Sequence, residues 1–237
     1  MNKENLQFLK NAVKFMSFDE TTQAELEKKI REGTPEFQLK AVAHFNQDEV
    51  GALLYFRKSD KSDYYFFNKY DVVVLHPEEP ARDKSQTFYI HGGTGITLRE
   101  AYNLLEGRSV FKTLLDQEGK KYQAWMQIDF GSIDSNGNYK YRHFYSSYGF
   151  NLVEVLNQYP ILNLEKEEDK DMLIISLQRG NRHPVWFLLD EREQQVFVEA
   201  APQFKALNVF DGARRKIRFS PDPNRNGSVI TPGGEIS

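Results

Sequence analysis

Three glycines, Gly33, Gly107 and Gly180, each close a stretch of helical periodicity and open a stretch of strand periodicity; from 33 to 107 is 74 residues and from 107 to 180 is 73. A near-constant period is the mark of one supersecondary unit copied along a chain. Leu26 and Ile30 precede Gly33, Leu98, Ala101, Leu104 and Leu105 precede Gly107, and Leu173, Ile174 and Leu177 precede Gly180. Such spacings of three and four gather on one helical face. A glycine just past the last turn can take the left-handed conformation that reverses the chain without a clash at Cβ.

The helix starts are also marked. Thr22 with Glu25 and Thr97 with Glu100 match the capping box, in which a hydroxyl and a carboxylate satisfy orphan backbone N–H groups reciprocally. The third copy opens instead on Glu167, Glu168 and Asp169, whose charges suit the positive end of a helix dipole. After each glycine the period shortens to two, in Phe37, Leu39 and Ala41, in Val110, Lys112 and Leu114, and in Val185, Phe187 and Leu189. Turns follow, with Leu115-Asp116 and Leu189-Asp190 in the second and third copies, and then second strands carrying Ala124, Met126 and Ile128 or Val196 and Val198. An aromatic third strand closes each copy, at Tyr64 to Tyr70, Tyr139 to Tyr145 and Phe204 to Phe210. Connections this short cannot make parallel crossovers, so the sheets are antiparallel.

The outer copies carry an extra helix, opened by Asn5-Leu6 and by Asn151-Leu152, the latter broken before Pro160. The central copy has lost that helix or replaced it with the segment from Phe88 to Gly95. The expected fold class is α+β: three related units, each a helix on a small antiparallel sheet, stacked in tandem. The units span residues 1–75, 76–150 and 151–219. A linker with Pro77 and Pro80 runs from His76 to Ser85 at the start of the second, and a flexible tail rich in proline and glycine occupies 220–237. Units of this size are marginal alone and must stack on their neighbours.

Composition narrows the function classes. The chain has no cysteine, which excludes disulfides, thiolate zinc sites and thiol nucleophiles. Lys10, Asn11 and Lys14 interrupt the apolar residues near the N-terminus, and no run approaches the ~20 apolar residues of a membrane span, so a cytoplasmic protein with no membrane partner is expected. A net charge of −3 gives no global attraction to nucleic acid, but Lys205, Arg214, Arg215, Lys216 and Arg218 stand together against Asp211 alone.

His91-Gly92-Gly93-Thr94-Gly95 sits where a phosphate cradle would lie, between a strand-like run and a helix. It lacks the lysine and hydroxyl of a phosphate-binding loop, and Leu98 stands where a third dinucleotide-motif glycine would fall. A structural turn into the Thr97 cap accounts for it. The five histidines, His44, His76, His91, His143 and His183, show no helical pairing, and the acidic run from Glu165 to Asp171 is a solvated helix start. No catalytic, cofactor-binding or metal-ligating residue is expected, and the protein is read as a non-enzyme.

The aromatics are more informative, with 18 Phe, 12 Tyr and 2 Trp. Alternation from Tyr139 to Tyr145 places Tyr139, Tyr141, His143 and Tyr145 on one face and Lys140, Arg142 and Phe144 on the other. Exposed, the tyrosine face could stack bases while cations meet phosphates. The simpler account buries these rings at junctions between stacked units. The same holds for Tyr64, Tyr65, Phe66 and Phe67, where burial under the partner helix is expected.

Ile96-Thr97-Leu98 through Leu104-Leu105-Glu106-Gly107, followed by Asp116-Gln117-Glu118-Gly119 and Tyr122-Gln123-Ala124-Trp125, resembles uncharacterised Bacteroidales domains of unknown function found on conjugative and mobilisable elements, sometimes beside topoisomerase-like segments. Ala201-Pro202-Gln203-Phe204-Lys205 with Asn208-Val209-Phe210-Asp211 is similar to the strand that follows there. The resemblance implies a mobile-element accessory role and brings no catalytic group. The sequence therefore points first to a non-enzymatic interaction or scaffold protein that binds another protein or its own copy. The alternative is a nucleic-acid-binding accessory protein using Lys140, Tyr141, Arg142, Lys205, Arg214, Arg215, Lys216 and Arg218.

Overall fold

The computed structural model describes residues 2–90, 95–116, 118–162, 164–189, 192–219 and the backbone of 230–232. Helices and strands follow one another as α1 (Lys3–Phe15), α2 (Glu20–Arg31), β1 (Glu36–Phe45), β2 (Asp48–Lys58), β3 (Tyr65–Leu75), β4 (Lys84–Tyr89), α3 (Leu98–Leu105), β5 (Val110–Leu115), β6 (Lys121–Ile133), β7 (Tyr139–Tyr145), α4 (Leu152–Leu156), α5 (Glu167–Gln178), β8 (His183–Leu189), β9 (Arg192–Ala201), β10 (Ala206–Phe210), β11 (Lys216–Phe219) and β12 (Ile230–Pro232). The class is α+β, with three antiparallel sheets ordered β1-β2-β3-β4, β5-β6-β7 and β12-β11-β10-β9-β8.

The periodic glycines do what their spacing predicts. Gly33, Gly107 and Gly180 take φ of 72°, 77° and 78°, and a strand begins three residues after each, at Glu36, Val110 and His183. At Gly33 the backbone N–H donates to Ile30 and Thr34 donates to Lys29, the paired bonds that finish a helix through a left-handed residue. Gly180 and Asn181 repeat the pattern on Leu177 and Ser176.

Two compact units result. The first comprises residues 1–106, 115–120 and 129–140, the second 107–114, 121–128 and 141–237. The expected central segment is thus divided: α3 packs on β3 and β4 of the first unit, whereas β6 and β7 contribute residues to both.

In the first unit the apolar faces of α1 (Leu6, Leu9, Val13), α2 (Leu26, Ile30) and α3 (Leu98, Ala101, Leu104, Leu105) are buried together with Leu39, Leu54, Val72 and Val74 of the sheet. Rings cross that sheet in sequence: Phe37 stacks on Phe56 at 5.1 Å, Phe56 on Phe67 at 4.8 Å, and Tyr70 on Phe88 at 5.6 Å. Phe67 and Tyr70 are both inward although three residues apart. The register shift that pairs Tyr55 with Lys69 and Phe56 with Phe67 leaves Asn68 as the extra residue of a β-bulge.

The second unit buries Leu152, Val155 and Leu156 of α4 and Leu173 and Leu177 of α5 with Val185, Phe187, Val196, Val198, Leu207 and Val209. Trp125 and Phe144 join this core, and Trp125 meets Phe150 edge-on at 5.3 Å.

Several local expectations are corrected. Thr22 does not cap α2; Asp19 does, accepting from the Thr22 backbone N–H at 2.8 Å, because the helix begins three residues earlier than the Thr22-Glu25 pattern suggested. Thr97 and Glu100 do form the capping box of α3. The expected linker from His76 to Ser85 is structured: His76 is 4% exposed, a 3-10 turn spans Pro80–Arg82, and Lys84 opens β4, which pairs with β3. Asn5 lies inside α1, whose cap is Asn2. The loop residues 91–94 and, apart from the backbone of 230–232, the tail 220–237 lie outside the described residues.

Candidate functional site

α1 is apolar on more than one side. Its inward face is built from Leu6, Leu9 and Val13, yet Phe8 and Phe15, seven residues apart and so nearly above one another, are 66% and 59% exposed. On the neighbouring strand β3, alternation sends Tyr65 and Phe67 inward and leaves Phe66 48% exposed, with Tyr64 just before the strand 43% exposed. The expectation that this aromatic cluster is covered by its helix thus holds for Tyr65 and Phe67 and fails for Tyr64 and Phe66.

These four exposed rings line one apolar groove of about 680 Å³ between α1 and the start of β3, with buried Leu9, Met16, Tyr65 and Phe67 and part-buried Ile90 also in its lining. Among the described residues its polar lining is Glu4, Asn5, Asn11 and Asn68. Asn5 sets the spacing of helix and strand: its amide nitrogen donates to the Tyr65 carbonyl at 3.1 Å while its carbonyl accepts from the Tyr65 N–H at 2.8 Å. The side chain stands in for a pairing strand. Lys10 and Glu27, 2.5 Å apart, tie the far side of α1 to α2, and Glu27 also pairs with Arg31. Those two cations hold the Glu27 carboxyl below the usual carboxylate range, Lys10 most strongly.

The residues singled out for nucleic-acid contact are dispersed. Lys140 falls in the first unit and the other seven in the second. Lys205 and Arg214 lie at opposite ends of β10, roughly 17 Å apart by strand rise. Lys205 places its ammonium 5.1 Å from the Tyr148 ring, and the Arg214 guanidinium lies 5.3 Å from that of Phe197. Arg215 pairs with Asp211 at 2.8 Å, and its backbone N–H, then its guanidinium, hold that carboxyl below the usual range. Lys216 and Arg218 share an exposed face of β11. Arg142 is exposed, and Phe144 of the same face is buried in the core.

The tyrosine face of β7 is part-buried at Tyr139, Tyr141 and His143. Tyr141, His143 and Tyr145 follow one another at 6.3 and 6.2 Å, and Tyr122 of β6 meets Tyr145 at 5.7 Å. Tyr145 is 49% exposed. Burial lowers the pKa of His143, so its ring is held neutral within this row.

Sequence reading missed one constellation altogether. Asp48, His76 and Glu106, far apart in the chain, converge within the first unit and offer three ligand atoms within 4.8 Å of one another. The only sequence signal was two acids and a histidine at the ends of elements, with no regular spacing. No family model, curated protein or solved structure matches this chain.

Proposed function

We propose that this is a non-enzymatic interaction protein whose groove between α1 and β3 receives an amphipathic helix of a partner protein. One observation carries the reading: Phe8, Phe15, Tyr64 and Phe66, between 43% and 66% exposed, converge on a single apolar groove. Exposed apolar surface gathered in this way marks association sites. The chemistry of the walls selects the occupant. A strand adding to β3 would need the Tyr65 backbone N–H and C=O, and Asn5 already occupies both. What remains is side-chain surface, suited to a helix that presents apolar residues at spacings of three and four. A cytoplasmic accessory role on a mobile element belongs to the same proposal, its mobile-element part resting on the sequence resemblance and its location on the interrupted apolar residues near the N-terminus.

The test is selection of helical peptides from a displayed library on the full chain, followed by titration. Recovered sequences should carry the i, i+3, i+4, i+7 apolar pattern and lose at least tenfold in affinity on Phe8→Asp or Phe66→Asp, both exposed positions. Peptides that bind these variants as well as the parent would overturn the reading. A dimer in sedimentation that Phe8→Asp dissolves would replace the helix with a second copy of the chain.

A second reading, single-stranded nucleic-acid binding, is favoured by the Tyr122–Tyr145–His143–Tyr141 row, which offers successive rings for base stacking. It requires affinity that falls steeply with salt and weakens on Tyr145→Ala. Salt-insensitive binding, or none, removes it.

A further inference from the structure

Three element ends meet around His76. Asp48 opens β2, His76 directly follows β3, and Glu106 caps the C-terminus of α3. His76 is 4% exposed; its Nε2 lies 2.8 Å from Glu106 Oε1 and 3.9 Å from Asp48 Oδ1, while Nδ1 lies 3.5 Å from Asp83 Oδ1 and makes no hydrogen bond. A neutral imidazole carries one N–H and one lone pair. With the proton on Nε2, the Nδ1 lone pair faces the Asp83 carboxylate. With the proton on Nδ1, the Nε2 lone pair faces Glu106 at contact distance. Neither neutral tautomer satisfies both ends of this buried ring, whereas a cation held between Nε2 and its carboxylates would leave the ring proton on Nδ1, facing Asp83.

The surrounding groups leave room for that charge to be a metal ion. Tyr102, one turn before Glu106 on α3, donates its hydroxyl to Asp48 Oδ2 at 2.6 Å, and Arg82 donates to Glu106 Oε2 at 2.9 Å. Each carboxylate is therefore held by its outer oxygen, with its inner oxygen turned toward His76 Nε2. Asp83 also accepts from the His76 backbone N–H at 2.7 Å and stands on the Nδ1 side of the ring. Carboxylates fixed by hydrogen bonds and a histidine backed by another carboxylate are the outer-shell arrangement of protein metal sites.

We propose that Asp48 Oδ1, His76 Nε2 and Glu106 Oε1 bind one divalent first-row transition-metal ion. One imidazole and two carboxylates form a mixed set in which the nitrogen disfavours calcium and magnesium. Zn²⁺ is the stronger-binding probe and Mn²⁺ the weaker. The ion would tie together the start of β2, the end of β3 and the end of α3.

The experiment is titration of the chelator-treated full chain with Zn²⁺ by calorimetry, with Co²⁺ absorption as a spectroscopic readout. One equivalent per chain is expected, with a raised thermal transition. Binding should be lost in His76→Gln and Asp48→Asn and weakened roughly tenfold in Tyr102→Phe. His44→Gln, at a histidine 68% exposed in its side chain, should bind as the parent does. Should His76→Gln fail to fold, Asp48→Asn and the Co²⁺ spectrum decide. Absence of stoichiometric binding, or binding indifferent to Asp48→Asn, would overturn the proposal, as would an imidazole spectrum showing both His76 ring protons in protein saturated with Zn²⁺.

Discussion

The side-chain amide of Asn5 bonds both the N–H and the C=O of Tyr65, sixty residues away, so that one residue of α1 completes the hydrogen bonding of one residue of β3. Asn5→Ala strands two buried backbone groups and should cost about 2–6 kcal/mol, the sum of two unsatisfied partners. Asn5→Asp can still accept from the Tyr65 N–H but sets a carboxylate against the Tyr65 carbonyl, and should rescue little. Urea denaturation of both variants checks this. A loss under 1 kcal/mol in Asn5→Ala would show that water replaces the amide.

At the start of α2 the cap belongs to Asp19, whose carboxylate accepts from both the backbone N–H and the hydroxyl of Thr22. Asp19→Ala should cost about 1 kcal/mol, a typical cap loss. The backbone N–H of Thr22, then its hydroxyl, hold the Asp19 carboxyl below its ordinary 3.8. A lowered carboxyl binds fewer protons folded than unfolded. Its contribution is complete above that ordinary value and fades as pH falls below it. Asp19→Asn should keep the cap and remove this part of the acid sensitivity, as read from denaturation midpoints between pH 5 and pH 2.5.

Burial lowers the pKa of His143 and of His183, the latter with Nδ1 2.9 Å from the Ser176 hydroxyl. Both rings are neutral in the folded chain and take up protons more readily once unfolded. Their contribution is complete above 6.5, the ordinary histidine value, and is lost as pH falls from there through the folded values. The His143→Gln/His183→Gln pair should flatten the stability profile between pH 7.5 and pH 5. An unchanged slope would mean that other groups set it.

Nothing lies within 4 Å of where a Cβ on Gly33 would stand, so Gly33→Ala tests the backbone alone. With φ at 72° the substitution should cost about 1–2 kcal/mol, and Gly33→Asn less, since asparagine tolerates the left-handed region. Thermal denaturation distinguishes the two.

Local chemistry made the glycine stops, the Thr97 cap and the antiparallel sheets legible, because each depends on residues a few positions apart. What escaped reading depends on distance or on irregularity. The bulge at Asn68 breaks the alternation that would have separated Phe67 from Tyr70. The later part of β4 reads as strand-like, but its start was hidden because Pro77 and Pro80 suggest a linker, and its pairing with β3 is long-range. Asp19 was overlooked for Thr22, since both residues favour caps and only the backbone decides between them. The groove stayed invisible because Phe8 and Phe15 look like ordinary core residues until the other faces of α1 are seen to be occupied. Asp48, His76 and Glu106 meet only through the fold.

Both tryptophans lie in the second unit, Trp125 at 5% exposure and Trp186 at 47%. Indole fluorescence therefore watches one half of the molecule and is blind to the other, whose unfolding must be followed through tyrosine or far-ultraviolet dichroism. A single chain thus carries a colour code for its own cooperativity: curves that coincide mean the halves melt as one, and curves that part mean each keeps its own thermodynamic account.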